Sequence, residues 1–225
     1  MFELIEDAKS DLCSSGWASL HLPLGGIERM EQAAMAIAYS LGQPRATRRR
    51  GPLIDHLAPT NRCAANPRSL SARYGLSQFP WHTDGAHWST PPRYLVIGCL
   101  EADQQAAETL ICEGRNFAPL NSTVARSSVF RVTNSCNSFY ATARGTSDCY
   151  YRYDPGCMTP MDVGAREIMR AIDHEEPEDE HTIEWCAGTF LLLDNWRFLH
   201  RRAATIESAE RKLLRVSVME NINDA

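Results

Sequence analysis

Two stretches of this chain carry almost no polar side chain: Tyr94 to Leu100 and Thr189 to Leu193. Both are short, and both read as strands buried within a fold rather than lying half-exposed on a surface. Gly188 opens the second run, and Asp194 and Asn195 close it with a polar turn. A chain that must hide such strands needs packed layers around them, and the remaining pattern supplies more strands than helices.

Trp17, Ser19 and His21 alternate with Ala18, Leu20 and Leu22, which fits a strand over Gly16 to Leu24 ended by Pro23 and Gly25-Gly26. Ile27, Met30, Ala34, Ile37 and Leu41 recur at helical spacing, and Gly42 and Pro44 stop the helix. Further strands are expected at Glu108 to Cys112, Ser128 to Thr133, Thr182 to Trp185 and Leu213 to Met219, with a second helix over Met161 to His174. Residues 43–80 read as long loops with short strands. Residues 134–160, with Tyr140, Tyr150, Tyr151 and Tyr153, read as a long aromatic loop of the kind that carries function. Strands near both ends, two helices and long loops suggest a β-sandwich or jelly-roll core in a single domain spanning residues 1–225.

Composition narrows the function. Lys and Arg number 23 and Asp and Glu 28, a net charge of −5, which argues against a nucleic-acid partner. The one dense basic run, Arg45 to Arg50, is a solvated loop or a local anion or partner site. The acidic run Glu175 to Glu180 reads as a solvated loop. Eight cysteines with no Cys-x-x-Cys pair give neither a disulfide scaffold nor a zinc ribbon. No apolar run approaches the length of a membrane span and Met1 to Ser10 lack a signal-peptide pattern, so a cytoplasmic location with reduced thiols is expected.

The chemistry concentrates after Trp81. His82 and Asp84 stand two apart, so on a strand both side chains would share a face, and imidazole plus carboxylate is two-thirds of a facial triad for ferrous iron. A single His-x-Asp is a weak signal that a hydrogen-bonded surface pair produces equally well. A third ligand must come from elsewhere. His200 is the best candidate, reached from the buried strand Thr189 to Leu193 through a polar turn and one short loop. His174 and His181 flank the acidic run, His21 lies in the first strand and His56 in a loop, while His87 is close enough to His82 to face a substrate. Arg211 and Arg215 share one strand face at about 13 Å between Cα atoms. Two guanidinium groups so placed either face solvent from an edge strand or face a cavity that holds an anion.

The ordered set of His82-x-Asp84, Thr109, the run Asp194-Asn-Trp-Arg-x-Leu-His200-x-Arg202 and Arg211-x-x-x-Arg215 resembles the iron(II)/2-oxoglutarate-dependent dioxygenases of the taurine dioxygenase and clavaminate synthase-like superfamily. The Asp-Asn-Trp-Arg-x-Leu-His-x-Arg run is also similar to the γ-butyrobetaine hydroxylases. The resemblance implies a mainly β fold with flanking helices, a double-stranded β-helix (a distorted jelly roll) with the site in its open mouth. It implies Fe(II) held by His82, Asp84 and His200, with 2-oxoglutarate and O2 as cosubstrates. Arg211 would pair with the distal carboxylate of 2-oxoglutarate, assisted by the Thr109 hydroxyl. Arg215 would be a second anion contact, to cosubstrate or to an acidic substrate, and Arg202 would stand near the iron. Because the carboxylate of Asp84 is present, where related halogenases have a small residue, hydroxylation, desaturation or cyclisation is implied. The substrate would be a small molecule such as an amino acid or natural-product intermediate, met by Gln78, Phe79, Trp81, His87, Trp88, Arg202 and Tyr151. At 225 residues the chain is short for that superfamily, so trimmed lid regions are expected. A cupin-type isomerase or lyase would use the same three ligands without 2-oxoglutarate, but would have no need of the Arg211–Thr109 pair.

Overall fold

The computed structural model describes residues 2–220 apart from 49, 68, 135–136 and 146–148. Arg49, within the basic run, lies outside the described residues, as do parts of the 134–160 segment.

The fold opens with α1 (Phe2–Ser15), β1 (Trp17–His21), α2 (Ile27–Leu41), β2 (Gln43–Arg45), β3 (Ile54–Leu57), α3 (Leu70–Tyr74), β4 (Tyr94–Ala102) and β5 (Thr109–Glu113). Then come α4 (Ala118–Asn121), α5 (Val124–Ser127), β6 (Phe130–Asn134), β7 (Asn137–Ala141), β8 (Met158–Pro160) and α6 (Val163–His174). The chain closes with β9 (Glu180–Ile183), β10 (Thr189–Asp194), β11 (Phe198–Arg202) and β12 (Arg211–Met219). The two apolar runs are β4 and β10, antiparallel neighbours in the middle of a six-stranded sheet ordered β1-β10-β4-β12-β2, with β3 also paired to β12. Their lack of polar residues follows from that place: both faces are covered.

One face meets a smaller antiparallel sheet, β11-β5-β9. Leu95, Ile97, Cys99, Leu191, Leu193 and Leu213 from the large sheet pack there against Ile111, Ile183 and Phe198 from the small one. The other face is covered by α2, whose Met30, Ala33, Ala34, Ile37 and Ala38 lie on Val96, Phe190, Leu192, Leu214, Val216 and Val218. The glycine that stops α2 is also needed for space, because a Cβ on Gly42 would sit 2.2 Å from the Met219 carbonyl oxygen. A second core backs the small sheet. There α4, α5, α6 and the sheet β7-β6-β8 enclose Leu120, Phe130, Val132, Ile168 and Ile172, together with Trp81 and Leu199. α6 starts where Asp162 accepts hydrogen bonds from Ala165 N and Val129 N at 2.7 Å each.

The structure corrects several expectations. α1 buries only Ala8 and Leu12, too sparse a stripe to stand out among its charged residues. His56 lies on β3 rather than in a loop and pairs with Glu31 at 2.9 Å. The aromatic segment contains β7 and β8. The acidic run is not wholly solvated, since Glu176 and Glu180 pair with Arg201 at 2.7 and 3.4 Å. No helix of the described residues is long and apolar enough to cross a membrane.

Candidate metal centre

Strand alternation does the first part of the work. On β11 Phe198, His200 and Arg202 face the space between the two main sheets, while Leu199 and Arg201 face the second core. His200 was expected in a loop; it sits on a buried strand paired with β5 in the register His200↔Ile111 and Arg202↔Thr109. His82 joins this sheet directly. Its N–H donates to the His200 carbonyl at 3.1 Å and the His200 N–H returns the bond at 2.9 Å. Two imidazoles are thereby fixed side by side, with ring centroids 4.4 Å apart.

Asp84 arrives differently from the strand-face geometry expected for His82-x-Asp84. After His82 the chain leaves the sheet and enters a turn that begins at Asp84. Gly85 follows at φ 67°, where a side chain would be strained and would also meet Pro92 Cδ at 2.5 Å. The fully buried Asn195 holds this turn. Its Oδ1 accepts from Asp84 N at 2.9 Å, and its Nδ2 donates to the carbonyls of Asp84 at 3.0 Å and Pro92 at 2.8 Å. The sequence placed Asn195 in a polar turn without giving it this role. Arg152, also fully buried, braces the following residues by donating to the carbonyls of Ala86, Trp88 and Ser89.

The result is a cluster in which His82, Asp84 and His200 each offer a ligand atom within 4.8 Å of the others. Asp84 Oδ1 lies 3.9 Å from His82 Nε2 and 3.8 Å from His200 Nε2. Three donors bound at about 2.1 Å on one octahedral face stand about 3.0 Å apart, so this cluster would draw in by about 1 Å to share an ion. His82 Nδ1 lies 2.9 Å from the Pro80 carbonyl, so Nδ1–H donates there and leaves the Nε2 lone pair for a metal. Electrostatics favour the same state. Burial works against the Asp84 charge, yet the Arg215 guanidinium, with His200 and His82, overrides it and holds the carboxyl at about 2. Burial, and next the field of His82, push His200 down to about 3, keeping the imidazole neutral as a ligand must be.

A second charge feature lies along the same strands. Arg211 is buried, its Nη1 donates to the Ala107 carbonyl at 2.8 Å and stands 3.4 Å from Thr109 Oγ1, and its Nε has no partner. Arg202 beside it donates to the carbonyls of Gly75 and Ser77 at 2.6 and 2.7 Å. Burial, and for Arg211 also the neighbouring Arg202, push both guanidinium groups down to about 10, still charged at neutral pH. Among the described residues neither has a carboxylate partner. A buried cation left so calls for an anion, and the free Nε of Arg211 offers it a donor. Of the two readings open for this strand, the solvent-facing edge strand is excluded, because β12 is flanked by β4 on one side and by β2 and β3 on the other.

Arg215 is a correction. It was expected to hold an anion of cosubstrate or substrate, but its Nη1 binds Asp84 Oδ2 at 2.6 Å and its Nη2 binds Asp55 Oδ2 at 3.0 Å. Thr47 in turn donates to both oxygens of Asp55 at 3.0 and 2.9 Å. Burial opposes the charge of Arg215, and the two acids more than restore it. No motif or spacing pointed to Asp55.

The expected substrate residues divide. Phe79 stands edge-on to the His82 ring at 6.3 Å and lies under the Arg202 guanidinium at 4.0 Å. His87 is half-buried and accepts from Trp88 Nε1 at 3.0 Å; burial lowers its pKa. Trp88 is itself buried beneath the Arg45 guanidinium, 4.8 Å from the ring centroid. Trp81 and Tyr151, by contrast, are core residues. Trp81 packs on Phe117 and under Arg201 on the far side of β11, and Tyr151 packs on Gly114. Gln78 also turns to that far side, lining a cavity of about 280 Å³ with Trp81, Asp173, Glu176 and Arg201. Arg202 uses its guanidinium on the 75–77 backbone rather than toward the His–Asp–His cluster.

No protein-family model matches the chain. It is 23% identical over 150 residues to clavaminate synthase 2 of Streptomyces clavuligerus, a match covering 59% of this chain and 46% of that protein. The chain thus spans about half the length of that curated relative. Among solved structures it is similar to an asparagine oxygenase in complex with Fe(II), (2S,3S)-3-hydroxyasparagine and succinate. There the TM-score is 0.79 at 19% identity, over 98% of this chain and 80% of the other. The non-heme iron oxygenase OrfP with Fe, succinate and (3S)-hydroxy-L-Arg gives a TM-score of 0.70 at 15% identity, over 98% and 82% of the two chains. PvcB from Pseudomonas aeruginosa gives 0.68 at 17% identity, over 97% and 82%. The chain therefore has the fold of the non-haem iron oxygenases, with a two-histidine, one-aspartate cluster between its sheets.

Proposed function

We propose that the protein is a single-domain non-haem Fe(II)/2-oxoglutarate-dependent oxygenase, a double-stranded β-helix enzyme of the clavaminate synthase-like type that works on a small molecule in the cytoplasm. The observation that carries this is the pairing of a His82–Asp84–His200 cluster with a buried Arg211 that has no carboxylate partner among the described residues. Thr109 lies opposite Arg202, two residues along β11 from His200. Two residues of strand span about 7 Å, which suits a five-carbon diacid held by a metal at one end and a guanidinium at the other. A metal isomerase or lyase without a diacid leaves Arg211 unexplained.

His82, Asp84 and His200 would hold Fe(II) on one face and leave positions open for the 2-oxo acid and for O2. When bound, the iron supplies the redox chemistry by which 2-oxoglutarate, O2 and a substrate C–H become succinate, CO2 and a C–OH. The protein's own part is geometric and electrostatic. Arg215 occupies the second oxygen of Asp84, so the carboxylate presents one oxygen to the metal. Asn195 and Arg152 keep the 84–89 turn from moving. Arg211 and Thr109 receive the distal carboxylate. Phe79, His87 and Trp88 are the nearby groups that a substrate would meet, and the asparagine and arginine products held by the two oxygenases above make an amino acid the first substrate class to examine. Anaerobic addition of Fe(II) and 2-oxoglutarate is expected to give a metal-to-ligand absorption band. Oxygen should then release succinate faster with a true substrate. A protein that binds no ferrous iron, or binds it without responding to 2-oxoglutarate, would end this reading.

A further inference from the structure

Trp185 lies between β9 and β10, 6% exposed, and its Nε1 donates to Thr109 Oγ1 at 3.0 Å. Thr109 Oγ1 is also 3.4 Å from Arg211 Nη1, a second donor. A hydroxyl has two acceptor lone pairs and one proton to give. With N–H groups directed at both lone pairs, what remains to Thr109 is its own O–H, and among the described residues that O–H has no acceptor. The partnerless Nε belongs to the same Arg211. The identity of residue 185 matters here. An indole N–H can only donate, so this bond cannot reverse and draw the Thr109 proton away. Glutamine, serine or histidine at the same place could accept that proton and turn the hydroxyl from the hollow.

We propose that Trp185 is a positioning residue for the diacid cosubstrate, fixing the Thr109 hydroxyl as a donor that, with Arg211, receives the distal carboxylate. This rests on the function proposed above and names a residue on which that site depends without the residue touching ligand. Trp185 also packs in the core between the sheets, so its effect on binding must be separated from its effect on stability.

The test uses Trp185→Phe, Thr109→Val and the double variant, each loaded anaerobically with Fe(II). Their 2-oxoglutarate affinity is read from the absorption band, their iron affinity by chelator competition, and their stability by thermal melting. Trp185→Phe is expected to weaken 2-oxoglutarate about ten-fold, the scale of one well-placed hydrogen bond, with iron affinity unchanged. Because Trp185 acts through Thr109, the double variant is expected to bind no more than about two-fold worse than Thr109→Val alone. Multiplying effects, or a Trp185→Phe protein that melts earlier yet binds 2-oxoglutarate like wild type, would overturn the assignment. A wild-type protein that binds iron but not 2-oxoglutarate would instead remove the parent reading, and this inference with it.

Discussion

Replacing Asn195 by alanine isolates the device that brings Asp84 to the two imidazoles. The amide makes three hydrogen bonds at 2.8–3.0 Å, one to Asp84 N and two from Nδ2 to the carbonyls of Asp84 and Pro92. At roughly 1 kcal/mol net for each bond, plus a share for backbone groups left without partners, the cost is about 3–4 kcal/mol. That is a large part of the 5–15 kcal/mol typical of a folded domain, so the variant should fold but unfold at much lower urea. The functional effect should be larger than stability alone explains. Groups that orient a metal ligand typically carry about 10–100-fold in affinity, and here the whole Asp84 turn is released. The control is Ile168→Ala in the second core, 3% exposed and remote from the metal side, expected to cost about 2–5 kcal/mol as a buried cavity. Urea unfolding gives the stability of both variants, and chelator competition gives their iron affinity. Asn195→Ala should lose iron affinity at least ten-fold while Ile168→Ala keeps it. Equal iron affinity in Asn195→Ala and wild type, or an equal loss in Ile168→Ala, would refute the argument.

Arg211→Met should abolish the 2-oxoglutarate absorption band while Fe(II) still binds, since the three ligands are untouched; loss of both together would argue against a separate clamp. Arg215→Met leaves Asp84 and Asp55 without their shared cation and should cost about 3–5 kcal/mol in urea unfolding; adding Asp55→Asn should recover part of that loss. In the metal-free protein His200, held at about 3, stays neutral while an unfolded imidazole protonates near 6.5. Its contribution is therefore present above about pH 6.5 and is lost as pH falls toward 3, with a slope of about 1.4 kcal/mol per pH unit. Urea unfolding from pH 7 to 4.5 should show that slope in wild type and lack this component in His200→Asn. Iron affinity should rise about ten-fold or more when 2-oxoglutarate is present, and 2-oxoglutarate affinity should rise by the same factor with iron, as linkage requires.

Much of this was readable before any coordinates, and the reasons differ by element. β4, β10 and α2 announce themselves because each has a clear hydrophobic period or an unbroken apolar run, and burial follows that pattern closely. α1 escaped because a helix lying on the rim of a sheet needs only Ala8 and Leu12 inside. β11 escaped for a chemical reason. A strand that carries His200, Arg201 and Arg202 in succession looks like a polar loop, yet all three are buried, the two guanidinium groups over the rings of Trp81 and Phe79. The His82-x-Asp84 spacing suggested one strand face, whereas the convergence depends on a turn and on Asn195 from a distant loop. Spacing within a motif cannot show partners supplied from across the fold. Asp55, which turns Arg215 toward Asp84, and Trp185, which occupies Thr109, are of that kind.

On the proposed function, the charges around the cluster would favour metal and diacid bound together. Asp84 and Asp55 carry one negative charge each, and Arg215 between them carries one positive charge, so that trio is negative by one. Arg211 and Arg202 add two positive charges with no carboxylate partner among the described residues. With both imidazoles neutral as ligands, the protein contributes a single net positive charge to a largely buried space. A divalent cation alone would raise that to three positive charges, and a dianion alone would reverse its sign. Together they leave it where it began. In a medium of low effective dielectric that balance is the cheaper state, because every uncompensated charge there costs more than it would in water. On the proposed function the roles divide along the same lines: Arg215, its charge met by Asp84 and Asp55, would set the metal ligand, and Arg211, with no carboxylate partner among the described residues, would be the cation left for the cosubstrate.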